Sequence, residues 1–240
     1  MIRIVLDGPL TVVEFARPEK RNALTVAMID DARAGIESAV RSRAVVLAGQ
    51  GPAFSTGFDL SSVAGDDAQL ATLLRALAGL VGAIRACPCP VVCAAHGAAL
   101  AGACAIAAAS DVTVTDKDAR LGYPVLRLGV SPAVSAPALI EAVGAGPARA
   151  RMLDSGVIDG RRAVEIGLVH ECAPDGDACR DRAVEIARAL AEKPPHALAA
   201  TKRWLNEIGG AGVHADAALR ASLATAGTEE QRSMTAQWKR

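Results

Sequence analysis

The chain has 240 residues, 51% of them apolar, and its 26 basic side chains balance 26 acidic ones to a formal net charge of zero. That balance argues against nucleic-acid binding, which needs a surplus of Lys and Arg to displace counterions, and no basic run suits a membrane surface. The apolar share comes from 52 alanines and only six aromatic residues, so the expected core is one of small side chains.

A chain of this length buries roughly 70–75% of its unfolded surface and needs no staples. The opening MIRIVLDGPLTVVEF is not a basic stretch followed by an apolar one. No apolar run reaches the roughly 18 residues of a membrane span, which predicts a soluble, cytoplasmic protein. Six cysteines are too few for a disulfide scaffold. Most sit in apolar company, as reduced thiols do. Cys87, Cys89 and Cys93 form CPCPVVC, which lacks zinc spacing and reads as the approach to a buried strand rather than a metal cluster.

In chain order, IRIVL and TVVEF flank Asp7-Gly8-Pro9 and predict a hairpin over 2–16. Thr25 is a candidate N-cap for a helix whose buried stripe runs through Ile29, Ala32, Ile36 and Val40. AVVLA at 44–48 predicts a strand, followed by a loop over 49–59. Leu70, Leu73, Leu74, Leu77, Leu80, Val81 and Ile84 predict a helix stopped by Pro88 and Pro90. PVVCAA predicts a second buried strand, AGACAIAAAS an alanine-rich helix, and VTVT a further strand. Beyond Gly144 the segments 147–153, 160–166, 178–192, 197–208, 215–226 and 228–238 read as helices. Alternating strands and helices give an α/β class. Pro194-Pro195 divides a core over 1–193 from a helical region over 194–240.

Generic phosphate motifs fail. In GAALAGA the residue after the second glycine is Ala103 where a P-loop needs Lys, GQGPAF has Phe54 where a dinucleotide fingerprint needs its third glycine, and no GxSxG elbow occurs. Two small-residue loops remain, GPAFSTGFDL at 51–60 and HGAALAGACA at 96–105. The second runs into a helix whose first-turn N–H groups lack intrahelical acceptors. If the amides of Phe58 and Gly102 converge, they form an oxyanion hole; otherwise the glycines serve tight turns and close helix packing.

The blocks RPEKRNALT (17–25), AVVLAGQGPAFSTGFDL (44–60), PVVCAAHGAALAGACAIAAASD (90–111), ARLGYPVLRLGVSP (119–132) and KPPHALAATKRWLN (193–206) resemble, in order, those of the enoyl-CoA hydratase/isomerase, or crotonase, superfamily. The resemblance implies a spiral of β-β-α units, a C-terminal helical region that builds a homotrimer or a dimer of trimers, and a pocket for a coenzyme A thioester. No permanently bound cofactor or metal is implied. It assigns the oxyanion amides to Phe58 and Gly102, and contact with the CoA nucleotide to Lys20, Arg21, Ala23, Leu24 and Thr56. It also implies departures: the positions where relatives carry acids hold Ala105, Val125 and Ala133.

Loss of two acid–base groups removes at most about 10⁸ in rate, while an oxyanion donor is worth roughly 10²–10³. The pattern therefore favours thioester polarisation over hydration, with a non-catalytic acyl-CoA binder or assembly protein as the alternative. Among substitutes for the missing acids, Asp59, Asp66, Asp67 and Glu141 read as structural or solvated. Cys104, His96 and Tyr123 are nearer candidates, although each also fits simple packing.

Overall fold

The computed structural model describes residues 1–63 and 67–238. Asp66 lies outside the described residues, as does the side chain of Asp67. The chain winds through four strand-and-helix turns. The first comprises β1 (Ile2–Asp7), β2 (Leu10–Phe15) and α1 (Val26–Ser38), the second β3 (Ala44–Gly49), α2 (Leu60–Val63) and α3 (Asp67–Ala86). The third comprises β4 (Val91–Ala94), β5 (Ala98–Leu100) and α4 (Gly102–Ala109), the fourth β6 (Val112–Asp116), β7 (Arg120–Gly122) and α5 (Ala136–Val143). Then follow α6 (Ala145–Leu153), β8 (Val157–Ile158), α7 (Gly160–Glu165), β9 (Glu171–Ala173), α8 (Gly176–Ala191), α9 (Pro195–Gly209), α10 (Ala211–Leu223) and α11 (Glu229–Trp238). Six strands form one sheet in the order β1-β2-β3-β4-β6-β9, antiparallel only at the β1–β2 hairpin, and β5-β7-β8 form a second sheet. This is the expected α/β spiral.

The large sheet is buried on both faces. On β3 and β4, Val45, Leu47, Val91 and Cys93 join the core beneath α1 and α3. Their alternates Val46, Ala48, Val92 and Ala94 meet α8, as a period of two requires. The α8 face is a four-residue ladder, Cys179, Ala183, Ala187 and Ala191, all buried. Small side chains at that spacing bring the helix axis close to the strands. Part of the alanine surplus is spent here.

Thr25 caps α1 by accepting the Met28 N–H, as anticipated. Val40 departs from expectation: it lies past the helix end and is 72% exposed, so the buried stripe stops at Ile36 and Ala39. The strands β5, β7, β8 and β9, with two or three residues each, were not legible because they are too short to show alternation. Ala98 and Ala99 have helical propensity, but pairing of β5 with β7 overrides it. By length and composition alone Ala68–Ala86 could cross a membrane, yet Leu70, Leu73, Leu74, Leu77, Leu80 and Ile84 on it are buried in the protein's core.

Two local features hold the later turns in place. Ala101, the N-cap of α4, has φ 54° and ψ −117°, a left-handed conformation that costs an alanine about 1–3 kcal/mol. Ser222 of α10 is fully buried; its hydroxyl accepts the Val134 N–H at 2.8 Å and donates to the Ser131 carbonyl at 2.8 Å, so α10 clamps the loop before α5. Ala101→Gly should raise the melting temperature by about 2–4 °C, the net of relieved strain and a more flexible unfolded chain. Ser222→Ala, which orphans a buried donor and an acceptor, should cost about 1–3 kcal/mol in urea unfolding. An unchanged midpoint in either variant contradicts the corresponding assignment.

Candidate active site

The two small-residue loops run side by side. Ser55 pairs with Ala99 through Ser55 N–H to the Ala98 carbonyl at 2.9 Å and Leu100 N–H to the Ser55 carbonyl at 3.2 Å. Leu24 pairs with Phe58 through Leu24 N–H to the Gly57 carbonyl (2.8 Å) and Asp59 N–H to the Leu24 carbonyl (2.9 Å). That geometry uses the groups on either side of Phe58 and leaves the Phe58 N–H outside the ladder. Gly102 is the first residue of α4, so its N–H has no intrahelical acceptor. The loops touch closely: a Cβ on Gly57, which has φ +87°, would sit 2.9 Å from the Leu100 carbonyl oxygen. One on Gly102 would sit 3.2 Å from the Phe58 ring.

Buried polar groups fix this contact. Asn22, fully buried, accepts the Arg17 N–H at 2.8 Å and donates to the carbonyls of Gln50 (2.9 Å) and Ala53 (2.8 Å). Asp116, also buried, accepts the Gly97 N–H at 2.6 Å. Gly97 has φ +64°, and a Cβ there would lie 2.0 Å from the Pro52 carbonyl oxygen, so only glycine fits. Neither Asn22 nor Asp116 stood out in the sequence. The available signal was an asparagine inside RPEKRNALT, a residue type that tolerates the left-handed φ of 54° it adopts.

A cavity of about 550 Å³ opens beside the contact, and Lys20, Arg21, Ala23, Thr56, Phe58, Gly102 and Val125 all line it. Sequence reasoning missed two further cations on its wall, Arg120 and Arg127. Like Lys20 and Arg21 they are exposed, so four positive charges surround the opening. Deeper, the wall is apolar, with Leu70, Leu74, Leu77, Val130 and Val134. Three predicted positions do not line the cavity. Leu24 is fully buried, and both its backbone groups are used in the pairing with the Phe58 segment. Ala105 is fully buried in α4. Ala133 is half-buried in a 3₁₀ turn, where its N–H donates to the Ser131 hydroxyl.

The titratable candidates separate by environment. Burial raises the Asp59 pKa, but the hydrogen bonds from Ser61 and Arg17 outweigh it and hold the carboxyl below the usual range. Arg17 donates to it at 2.5 Å and the Ser61 hydroxyl at 2.6 Å. A carboxylate so engaged caps α2 and orders the loop; it is a poor base. Glu141 is ion-paired with Arg85 rather than solvated. His96 is buried away from the cavity, its Nε2 3.0 Å from the Gly51 carbonyl oxygen and 3.1 Å from Arg180, and burial lowers its pKa. Cys104 is fully buried, and burial pushes its thiol up to about 11. It stays protonated despite the helix N-terminus. Tyr123 is 1% exposed and lines the cavity; its hydroxyl is buried beside the Cys104 thiol, and burial raises its pKa. The Cys87 and Cys89 sulfurs lie 3.5 Å apart. No cluster able to hold a metal occurs among the described residues.

The sequence profile of the enoyl-CoA hydratase/isomerase family matches residues 7–236. A Thermus thermophilus protein bearing an enoyl-CoA hydratase name is 34% identical over 242 residues, covering 94% of this chain and 91% of its own. The 2,3-dehydroadipyl-CoA hydratase of Escherichia coli is 31% identical over 221 residues, covering 90% of this chain and 86% of its own. The crystal structure of an enoyl-CoA hydratase/isomerase from Mycobacterium paratuberculosis superposes with a TM-score of 0.87 at 28% identity, covering 98% of this chain and 97% of that one. With the profile spanning nearly the whole chain and the fold repeated in that neighbour, the chain belongs to the enoyl-CoA hydratase/isomerase family.

Proposed function

We propose that the protein binds an acyl-CoA thioester in the 550 Å³ cavity and polarises its carbonyl between the Phe58 and Gly102 amides. The observation that carries this reading is that two backbone donors outside any internal ladder line one cavity with an apolar interior and a cationic opening. Fixed donors in a water-poor site stabilise the negative charge that develops on an enolate-like oxygen. Lys20, Arg21, Arg120 and Arg127 meet the phosphates of the CoA moiety, and Ala23 and Thr56 border its nucleotide. The two relatives above carry hydratase names, yet this chain offers no carboxylate at Ala105, Val125 or Ala133.

Polarisation without the acid–base pair is therefore the activity the geometry favours. The second reading, an acyl-CoA binder or assembly protein with no turnover, draws on the same apolar positions. Trp204, Leu205, Ile208 and Val213 on α9 and α10 are exposed, which supports assembly as a homotrimer or dimer of trimers through those helices. The free cysteines support a reducing, cytoplasmic setting.

Calorimetry with butyryl-CoA should give binding, and loss of crotonyl-CoA absorbance should run far below the roughly 10 s⁻¹ typical of enzymes. Turnover near that rate overturns the account of the missing acids, and absence of binding overturns the reading as a whole. Lys20→Ala with Arg21→Ala should weaken butyryl-CoA binding about tenfold at low salt and less at high salt. Equal affinity in the double variant removes those two residues from the CoA site.

A further inference from the structure

The turn between α3 and β4 reads Cys87-Pro88-Cys89-Pro90, and neither cysteine lines the cavity at Phe58 and Gly102. The two sulfurs lie 3.5 Å apart. Residues two apart in sequence hold their Cα atoms within about 7 Å, and a disulfide spans roughly 4.4–6.8 Å between Cα atoms. Side-chain rotation with little backbone movement therefore brings these sulfurs to bonding distance. The turn around them is pinned by α9. Lys202, itself buried, donates to the carbonyls of Ile84 (3.0 Å) and Cys89 (3.2 Å) and to the Asp111 carboxylate (2.6 Å), and Asn206 donates to the Arg85 carbonyl (2.7 Å).

The six cysteines differ in how their surroundings treat the thiolate. Burial raises the pKa of Cys93, Cys104, Cys172 and Cys179. Cys87 goes the other way: the hydrogen bond from the Cys89 thiol, with help from the Cys89 N–H and the Lys202 ammonium, outweighs burial and holds it below the ordinary thiol value. The same sulfur–sulfur hydrogen bond, with burial, keeps Cys89 protonated. A thiolate beside a protonated thiol has the makings of an attacking and a resolving cysteine. Pro88 between them is exposed, while Cys87 and Cys89 are 5% and 9% exposed, a setting that favours a small oxidant over a bulky disulfide.

We propose that Cys87 and Cys89 form a reversible oxidation site that takes a small hydroperoxide as oxidant and closes to an intramolecular disulfide. The Cys87 thiolate attacks one peroxide oxygen, the O–O bond breaks, and the departing oxyanion takes up the proton that Cys87 released. Cys87 is then a sulfenic acid. The Cys89 sulfur attacks it, the S–S bond forms as the S–O bond breaks, and the hydroxyl leaves with the Cys89 proton as water. With hydrogen peroxide, two thiols and one peroxide become one disulfide and two waters, two electrons passing from sulfur to oxygen. A ring closed across one intervening residue is strained, so a dithiol reductant reopens it and is itself oxidised to a disulfide.

Thiol counting and mass spectrometry on the full chain test this, in a Cys172→Ser background that removes the exposed thiol. Treatment with hydrogen peroxide should remove two thiols and two hydrogen atoms from the protein, and dithiothreitol should restore both. Cys87→Ser should slow peroxide consumption at least about tenfold, the loss of the one favoured thiolate. Cys89→Ser should keep the first step and stop there, leaving a sulfenic acid on Cys87 that dimedone traps. Thiols that survive peroxide, an unchanged rate in Cys87→Ser, or no dimedone adduct on Cys87 in Cys89→Ser each overturn the assignment. Should either serine variant lose its cooperative thermal transition, the alanine variant takes its place under the same criteria.

Discussion

The close contact between the loop at Gly57 and the turn at Leu100–Ala101 governs the rest of the structure. Two chain segments from successive turns of the spiral meet at 2.9 Å from where a Gly57 Cβ would be. Phe58 and Gly102, each next to one of the touching segments, line the same cavity. The contact cannot be made by packing alone, because backbone atoms brought this close must have their polar groups accounted for. The Gly57 carbonyl accepts from Leu24 and the Leu100 N–H donates to Ser55, while Asn22 ties residues 17–22 to residues 50–53 and Asp116 holds Gly97 at the exit of β4.

The alanine-rich composition is the counterpart of that constraint. On α8 the alanines let a helix lie flat on the sheet. On α4 every residue is buried, and small side chains allow the helix to start directly at the loop contact. At Ala105 and Ala133 the same small residue stands where the family resemblance expects acids, and neither position lines the cavity. Among the described residues the one carboxylate on the cavity wall is Asp59, which is engaged by Arg17 and Ser61. Positive charge dominates the opening although the whole chain is neutral. Net charge and local charge answer different questions, and only the local one concerns a polyanionic ligand.

Much of this was legible in the sequence, for identifiable reasons. The hairpin, α1, α3 and the buried strands announced themselves because apolar residues recur at periods of two or near 3.6 over many positions. Phe58 and Gly102 were legible as loop residues next to strands, and Lys20, Arg21, Ala23 and Thr56 as parts of a resembling block. The short strands β5, β7, β8 and β9 were hidden because their pairing partners, not their side chains, decide their conformation. Leu24 illustrates the limit of carrying a role across by position: its backbone is consumed by the pairing that positions Phe58. Arg120, Arg127 and the C-terminal clamp through Ser222 depend on contacts between residues distant in the chain, which no local pattern encodes.

The central claim is that the Phe58 and Gly102 amides polarise a bound thioester. Isotope-edited infrared difference spectroscopy of butyryl-CoA labelled with ¹³C at the thioester carbonyl reads that polarisation directly. The account predicts that the carbonyl stretch moves to lower frequency on binding, as two donors draw electron density onto the oxygen. A saturated complex whose carbonyl stretch stays at its solution frequency or rises contradicts it.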